Sequence, residues 1–284
     1  MPKGTLKIRR QIRSIGNTKK MTKAMELVSA SKMRRSTSAL LAARPYAQAA
    51  EEVVEYLAAR ADAKLHPLLQ VRPVRKLGII VIGTNRGLCG GFNANIAAKV
   101  NEVVREHASS TVQLFTVGKR GREYCLRSGH AITADFPKSD VTRSILDIAP
   151  VITTVVEQYQ KEELDKVVLV TTQYVSSVSQ RAFAKRLLPF SSEKSVETLE
   201  SVMFEPAESS VLEYMIPRLL ETTVFRAVLE SEASEHSARM LAMHNASEAA
   251  TDMLYDLQLA YNQIRQAAIT QEIAEISSGR AALE

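Results

Sequence analysis

Apolar residues recur every three or four positions near both ends of this chain, and they gather into short continuous runs in the middle. Toward the C-terminus, Met243, Ala246, Ala250, Met253, Leu257, Ala260, Ile264 and Ala267 alternate spacings of three and four. That spacing puts them on one helical stripe and predicts a heptad seam, which Leu254, Tyr261 and Ala268 widen. Near the N-terminus Ile8, Ile12, Ile15, Thr18, Met21, Met25 and Val28 follow the same rhythm, so a second amphipathic rod is expected there. Many seam positions are alanine, which lets a partner helix approach closely.

Helix breakers divide the chain in the same places. Eight of the eleven glycines fall between Gly78 and Gly129, whereas residues 17–44 and 218–278 contain neither Gly nor Pro. At a rise of about 1.5 Å per residue, ~60 residues of unbroken helix would extend roughly 90 Å. Pro45 either kinks the first rod or begins a second helical segment running to about Leu65.

The middle alternates elements. The pattern predicts strand Leu77–Ile82, helix Phe92–His107, strand Val112–Val117, a helix near Arg120–Arg127, a short strand near Ile132, helix Val141–Tyr159 and strand Lys166–Thr171, with a hairpin or edge over 183–204. Such alternation predicts a mainly parallel sheet with helices on its faces. The expected fold class is therefore α/β: a long antiparallel coiled coil of the N- and C-terminal helices plus a central Rossmann-like α/β domain. The expected divisions are 1–66, 67–206 and 207–284.

Charge adds one feature to this picture. The overall +6 conceals a basic arm, since residues 1–44 carry twelve Lys or Arg against the single acid Glu26. Nucleic acid, a membrane surface and an acidic protein partner all suit such an arm. Leu6–Met25 also has the Arg-rich, acid-free character of a transit peptide, although its helical pattern runs on unbroken. The longest apolar run, Leu77 to Ile82, falls far below the roughly 20 residues of a membrane-spanning helix. Cys89 and Cys125 lack CxxC spacing and read as reduced, buried or idle thiols.

Candidate chemistry is sparse. Gly83-Thr-Asn-Arg-Gly-Leu-Cys-Gly-Gly91 lies between a strand and a helix, where α/β proteins hold phosphates. It has neither GxGxxG nor GxxxxGK[ST] spacing, so a tight turn or contact loop is expected. Gly118-Lys-Arg-Gly121 occupies the equivalent place after the next strand; it could attract an anion or serve as a glycine-rich connection. Glu232 and His236 lie one helical turn apart without enough further ligands for a metal, and a solvated helix face is expected there. GxSxG and HExxH are absent. No catalytic, cofactor-binding or metal-ligating residue is assigned, and a mechanical or scaffolding role is favoured.

Three segments carry a resemblance: Ile12-Arg-Ser-Ile-Gly-Asn-Thr-Lys-Lys-Met-Thr-Lys-Ala-Met25, Arg86-Gly-Leu-Cys-Gly-Gly-Phe-Asn93, and Glu230-Ser-Glu-Ala-Ser-Glu-His236 through Ala267-Ala-Ile-Thr-Gln-Glu-Ile273. In order and spacing they resemble the gamma-subunit family of F-type ATP synthases along essentially the whole chain. The resemblance implies a non-catalytic rotor shaft inside a ring of three alpha and three beta subunits, with the central domain near the epsilon subunit and the membrane c-ring. It implies coupling of ion flow to ATP synthesis or hydrolysis, with the active sites on beta subunits, and an influence on their ATPase activity. Met25, Arg239, Gln266 and Thr270 match family positions that touch beta subunits or steady the two rods, and Arg86, Gly87, Leu88, Cys89 and Gly90 form the candidate contact loop.

Many relatives carry Asp where Asn85 stands, and the plant-type redox insertion is missing. No targeting extension precedes Met1-Pro-Lys, which favours a bacterial origin and a peripheral place on the cytoplasmic face of the inner membrane. Two competing functions are a nucleic-acid-binding coiled coil that uses the basic arm and a nucleotide-binding enzyme that uses the Gly83–Gly91 loop. The basic stretch has no interleaved aromatics, which speaks against the first. Nucleic acid and direct membrane insertion are not expected.

Overall fold

The computed structural model describes residues 3–60, 66–139, 142, 144–190 and 208–281. The chain forms two compact units, one of residues 30–239 and one of residues 1–29 together with 240–284.

In the larger unit the apolar runs become strands: β1 (Lys76–Ile82), β2 (Thr111–Val117), β3 (Ile132–Phe136), β4 (Lys166–Tyr174) and β5 (Gln180–Leu188). They form one sheet in the order β3-β2-β1-β4-β5, parallel except for the antiparallel β4–β5 pair. Of the hairpin or edge expected over 183–204, residues 183–188 belong to the edge strand β5, which begins three residues earlier at Gln180; residues 191–207 lie outside the described residues. Helices α2 (Phe92–Glu106), α3 (Lys119–Arg127) and α4 (Ala149–Gln160) supply the parallel crossovers.

Strand β1 sits between β2 and β4, so both of its faces are covered and its sequence is continuously apolar. On one face Ile79 lies in register with Leu114 and Val168, and this layer packs on Phe92, Ile96, Val100 and Val103 of α2. On the other, Ile80 lies in register with Phe115 and Leu169, beneath Val151 and Val155 of α4 and Val224 and Val228 of α5 (Glu208–Ala281).

The helix expected from Val141 starts later, at Ala149. Ser144 closes a capping box with Asp147 over the 3-10 turn Ile145–Asp147, and Pro150 then fits the first turn of α4. At the N-terminal end, α1 (Lys3–Arg60) continues through Pro45 as one helical element.

The smaller unit pairs the start of α1 with the end of α5. Glu26 of α1 lies 3.3 Å from Nδ1 of His244. From this contact the unit extends back to Lys3 along α1 and on to Ala281 along α5, so the two segments run antiparallel. The inward positions follow a strict heptad: Ile8, Ile12, Ile15, Lys19, Thr22, Glu26 and Ser29 on α1, and Met243, Ser247, Ala250, Leu254, Leu257 and Tyr261 on α5.

Part of the expected seam is displaced by one residue. Met21, Val28 and Met253 are more than half exposed, Ile264 and Ala267 also face outward, and the neighbouring Thr22, Ser29, Leu254 and Ala268 turn inward. On α1 the smaller hydroxyl side chains of Thr22 and Ser29 take the inner face in place of Met21 and Val28, so there size overrides hydrophobicity. Among the described residues no helix is long and apolar enough to cross a membrane.

Candidate functional site

The polar groups of the larger unit converge where the C-terminal ends of β1, β2 and β3 meet α5. At the end of β1 the chain turns at Gly83, and an added Cβ there would lie 2.4 Å from the Gly121 backbone. Gly118, with φ +104°, opens α3 beside the same turn. These glycines let the β1–α2 and β2–α3 connections pack against each other, a close approach that side chains would forbid.

That packing consumes the amides a phosphate would need. Gly83 N donates to Val117 O (2.9 Å), Arg120 N to Thr84 O (2.7 Å), Thr84 N to Asn93 Oδ1 (3.3 Å) and Lys119 N to Asn85 Oδ1 (3.4 Å). Cys89 is buried beneath the loop and its Sγ accepts from Asn93 Nδ2 (3.5 Å); burial pushes its thiol up. Cys125, also free and buried, is pushed up to about 11 by the same cause.

Helix α5 meets this edge with a segment buried nearly all round, from Ala227 to Ser237. Apolar residues would be the ordinary choice there, yet the segment holds Ser231, Glu232, Ser234, Glu235, His236 and Ser237, followed by the buried Arg239. Glu232 and His236 are therefore not on a solvated face. The expectation fails because their partners come from residues about ninety or more positions away, or from a salt-bridged neighbour on α5. Glu232 Oε1 accepts from the backbone N (3.0 Å) and the hydroxyl of Thr142. Glu235 Oε2 accepts from Lys138 Nζ at 2.9 Å, and its Oε1 accepts from Arg239 Nη2 at 2.8 Å.

Arg239 then reaches the β1–α2 loop, donating from Nε to Gly87 O (3.2 Å) and from Nη2 to Arg86 O (3.1 Å). Lys138 donates to Gly83 O (3.1 Å), and Asn85 Nδ2 donates to Lys138 O (2.6 Å). An Asp at position 85 has no such donor, so the Asn found here is matched to a carbonyl partner.

Environment drives the ionisable groups apart. Burial pushes Glu235 up, but Lys138 and Arg239, by charge and hydrogen bond, overcome it and hold the carboxyl at about 2. Glu232 is raised, since burial outweighs the help of Lys138 and Thr142. His236 is brought down to about 4, first by burial and further by the charges of Arg239, Lys138 and Lys32, against the pull of Glu235. The neutral imidazole accepts from Arg239 Nη1 at Nδ1 (3.3 Å), and its Nε2 has no protein partner among the described residues.

Lys32, Asn85, Arg86, Lys138, Ser139, Glu235, His236 and Arg239 line a cavity of about 20 Å³. That is room for a water molecule and not for a nucleotide. Among the described residues no group of three or more His, Cys, Asp or Glu could hold a metal ion.

Of the residues singled out from the sequence, the structure brings Arg239 together with Arg86 and Gly87. Leu88, with φ +62°, and Gly90 project outward from the same loop. In the smaller unit Met25 is half-buried. Gln266 and Thr270 are exposed one turn apart, with Thr270 Oγ1 donating to Gln266 O (3.0 Å). Sequence reasoning missed Lys138, Thr142 and Glu235, because nothing local to Lys138 or Thr142 shows that α5 faces them.

Comparison with known proteins accords with this architecture. A family model described as ATP synthase matches residues 5–283. The ATP synthase gamma chain of Acidithiobacillus ferrooxidans is 44% identical over 283 residues, covering 97% of this chain and 98% of the relative. That of Brevibacillus brevis is 39% identical over 282 residues, covering 98% of each. A chain of the central stalk and c-ring structure of Tetrahymena thermophila mitochondrial ATP synthase matches with TM-score 0.62 and 27% identity, covering 80% of this chain and 99% of that one. A chain of Euglena gracilis mitochondrial ATP synthase, from the OSCP/F1/c-ring structure in rotational state 3, shares the fold at TM-score 0.70 and 19% identity, covering 99% and 94%. With a sheet flanked by two long terminal helices, and with relatives matched from end to end, the chain belongs to the ATP synthase gamma-chain family.

Proposed function

We propose that this chain works as the non-catalytic central-stalk subunit of a rotary ATP synthase, turning inside an alpha-beta head that holds the catalytic sites. The observation that carries this reading is the family match over residues 5–283. The two-helix unit suits the role physically. Its interior is a narrow seam that mixes apolar with small hydroxyl residues, while Met21, Leu27, Val28, Met253, Ile269, Ile273 and Ile276 stand exposed along it. Apolar side chains in that number on a thin rod suit a sleeve of partner subunits.

The partners in this reading are three alpha and three beta subunits, the epsilon subunit and the c-ring. The chain is a peripheral subunit of the membrane complex; the finer placement, at the cytoplasmic face of a bacterial inner membrane, is part of the proposal. So is a division into shaft helices 1–66 and 207–284 around a central domain 67–206. Within it Met25, Gln266 and Thr270 meet beta subunits. Arg239 acts from inside, holding the loop whose outward residues Arg86, Leu88 and Gly90 are offered for contact.

The test is reconstitution with alpha and beta subunits, the ring fixed to a surface and a bead attached to the sheet unit. ATP-driven rotation in one direction is the expected result. A well-assembled ring that neither retained nor turned the chain would overturn the reading.

A further inference from the structure

Two separate parts of the sheet's edge are bonded to neighbouring side chains of α5. Lys138, just beyond β3, bonds Glu235, and the loop after β1 is gripped by Arg239, which lies one turn along the same helix and also bonds Glu235. Lys138 also bonds Gly83 O at the end of β1. The side chains of Lys138 and Glu235 are only 3% and 9% exposed, so water competes little with these bonds and they are strong and directional. The Thr142–Glu232 pair fastens a second point about one turn earlier on the helix.

The remaining contact of α5 with the sheet is chiefly apolar, through Ile216, Leu220, Val224, Ala227 and Val228, with single uncharged hydrogen bonds from Thr171 Oγ1 to Ala227 O (3.4 Å) and from Gln180 Nε2 to Ser237 Oγ (3.3 Å). Apolar packing resists separation, but it has little preference for direction. A smooth aliphatic face can roll or slide; a buried ion pair with fixed donors cannot without leaving a charge unpaired.

We propose that Lys138, acting through Glu235, is a positioning residue for rotation: it keys the sheet to α5 so that a twist applied to one is delivered to the other. This rests on the central-stalk reading. Interchangeable apolar contact would hold the two together, whereas the Lys138–Glu235–Arg239 relay adds resistance to turning about the helix axis.

The test is made on the chain assembled with its alpha-beta head. A bead is attached through a Ser109→Cys label on the exposed surface of the sheet unit, while the natural Cys89 and Cys125 stay buried. At limiting ATP the shaft dwells, and the angular variance of the bead during each dwell reads torsional softness. Lys138→Met is expected to widen that variance at least about twofold, and Lys138→Arg to restore it. Glu235→Gln, which changes little in shape, is the second probe and should widen it likewise. A lowered melting temperature with unchanged variance in both variants would reduce the relay to a stabilising contact and overturn the key. If the unsubstituted chain is not turned by ATP, the central-stalk reading falls and the key falls with it.

Discussion

The two units solve the problem of holding helices in opposite ways. In the sheet unit α5 lies on a wide apolar surface, and its buried residues Glu232, Glu235 and Arg239 are answered by distant partners. In the two-helix unit the inner positions include Lys19, Thr22, Glu26, Ser29 and Ser247, while several large apolar residues face outward. One unit carries its own core. The other has a slim interior and exposes several large apolar residues among its charged ones, the arrangement of a part that completes its burial against partners. The same residue types therefore mean different things: a buried glutamate in the sheet unit sits in a tight ion relay, while Glu26 sits in an open contact with Lys23 and His244.

This contrast can be broken most forcefully in the sheet. Ile80→Ala removes a side chain shared by the β1, β2, β4, α4 and α5 layer, and should cost about 4 kcal/mol of unfolding free energy by denaturant titration of the isolated chain. A loss as small as that of a surface substitution would mean that the sheet core is not the stable part. Glu235→Ala strands Lys138 beside Arg239 and should cost about 3 kcal/mol by the same titration.

His236 sharpens the comparison by pH. Its folded pKa of about 4 lies below the ordinary 6.5, so the unfolded chain binds the extra proton first as pH falls. Its contribution is complete above pH 6.5 and is lost progressively on acidification toward pH 4, up to about 3 kcal/mol in all. His236→Gln should flatten this part of the stability profile. Glu235 acts lower, its contribution being present above pH 4.5 and lost as pH falls toward about 2.

The smallest effect is expected in the helix pair. Ile273→Ala should change the isolated chain by less than about 0.5 kcal/mol, yet weaken retention by the alpha-beta head in a pull-down. If it destabilises the chain itself as much as Ile80→Ala, the outward apolar residues belong to an internal core and the contrast fails.

Much of this was legible in the residues alone. The continuous apolar run Leu77–Ile82 marks a strand covered on both faces, the glycines after it mark a turn, and Gly-free stretches with heptad spacing mark the long helices, because these signals depend on neighbours within a few positions. The one-residue displacement of the seam was not legible. Met21 and Val28 look more suited to an interior than Thr22 and Ser29, yet the first two are more than half exposed and the last two buried. Nor was the burial of Glu232, Glu235 and His236, since a charged helical stretch ordinarily faces water, and here its answer is Lys138, Thr142 and a loop more than 140 positions before Arg239. Local pattern determined which segments are helix and strand and the family they resemble. Which face turns inward, and which charges are buried in pairs, was decided by packing between residues far apart in the chain, where space and partner count for more than the character of a side chain.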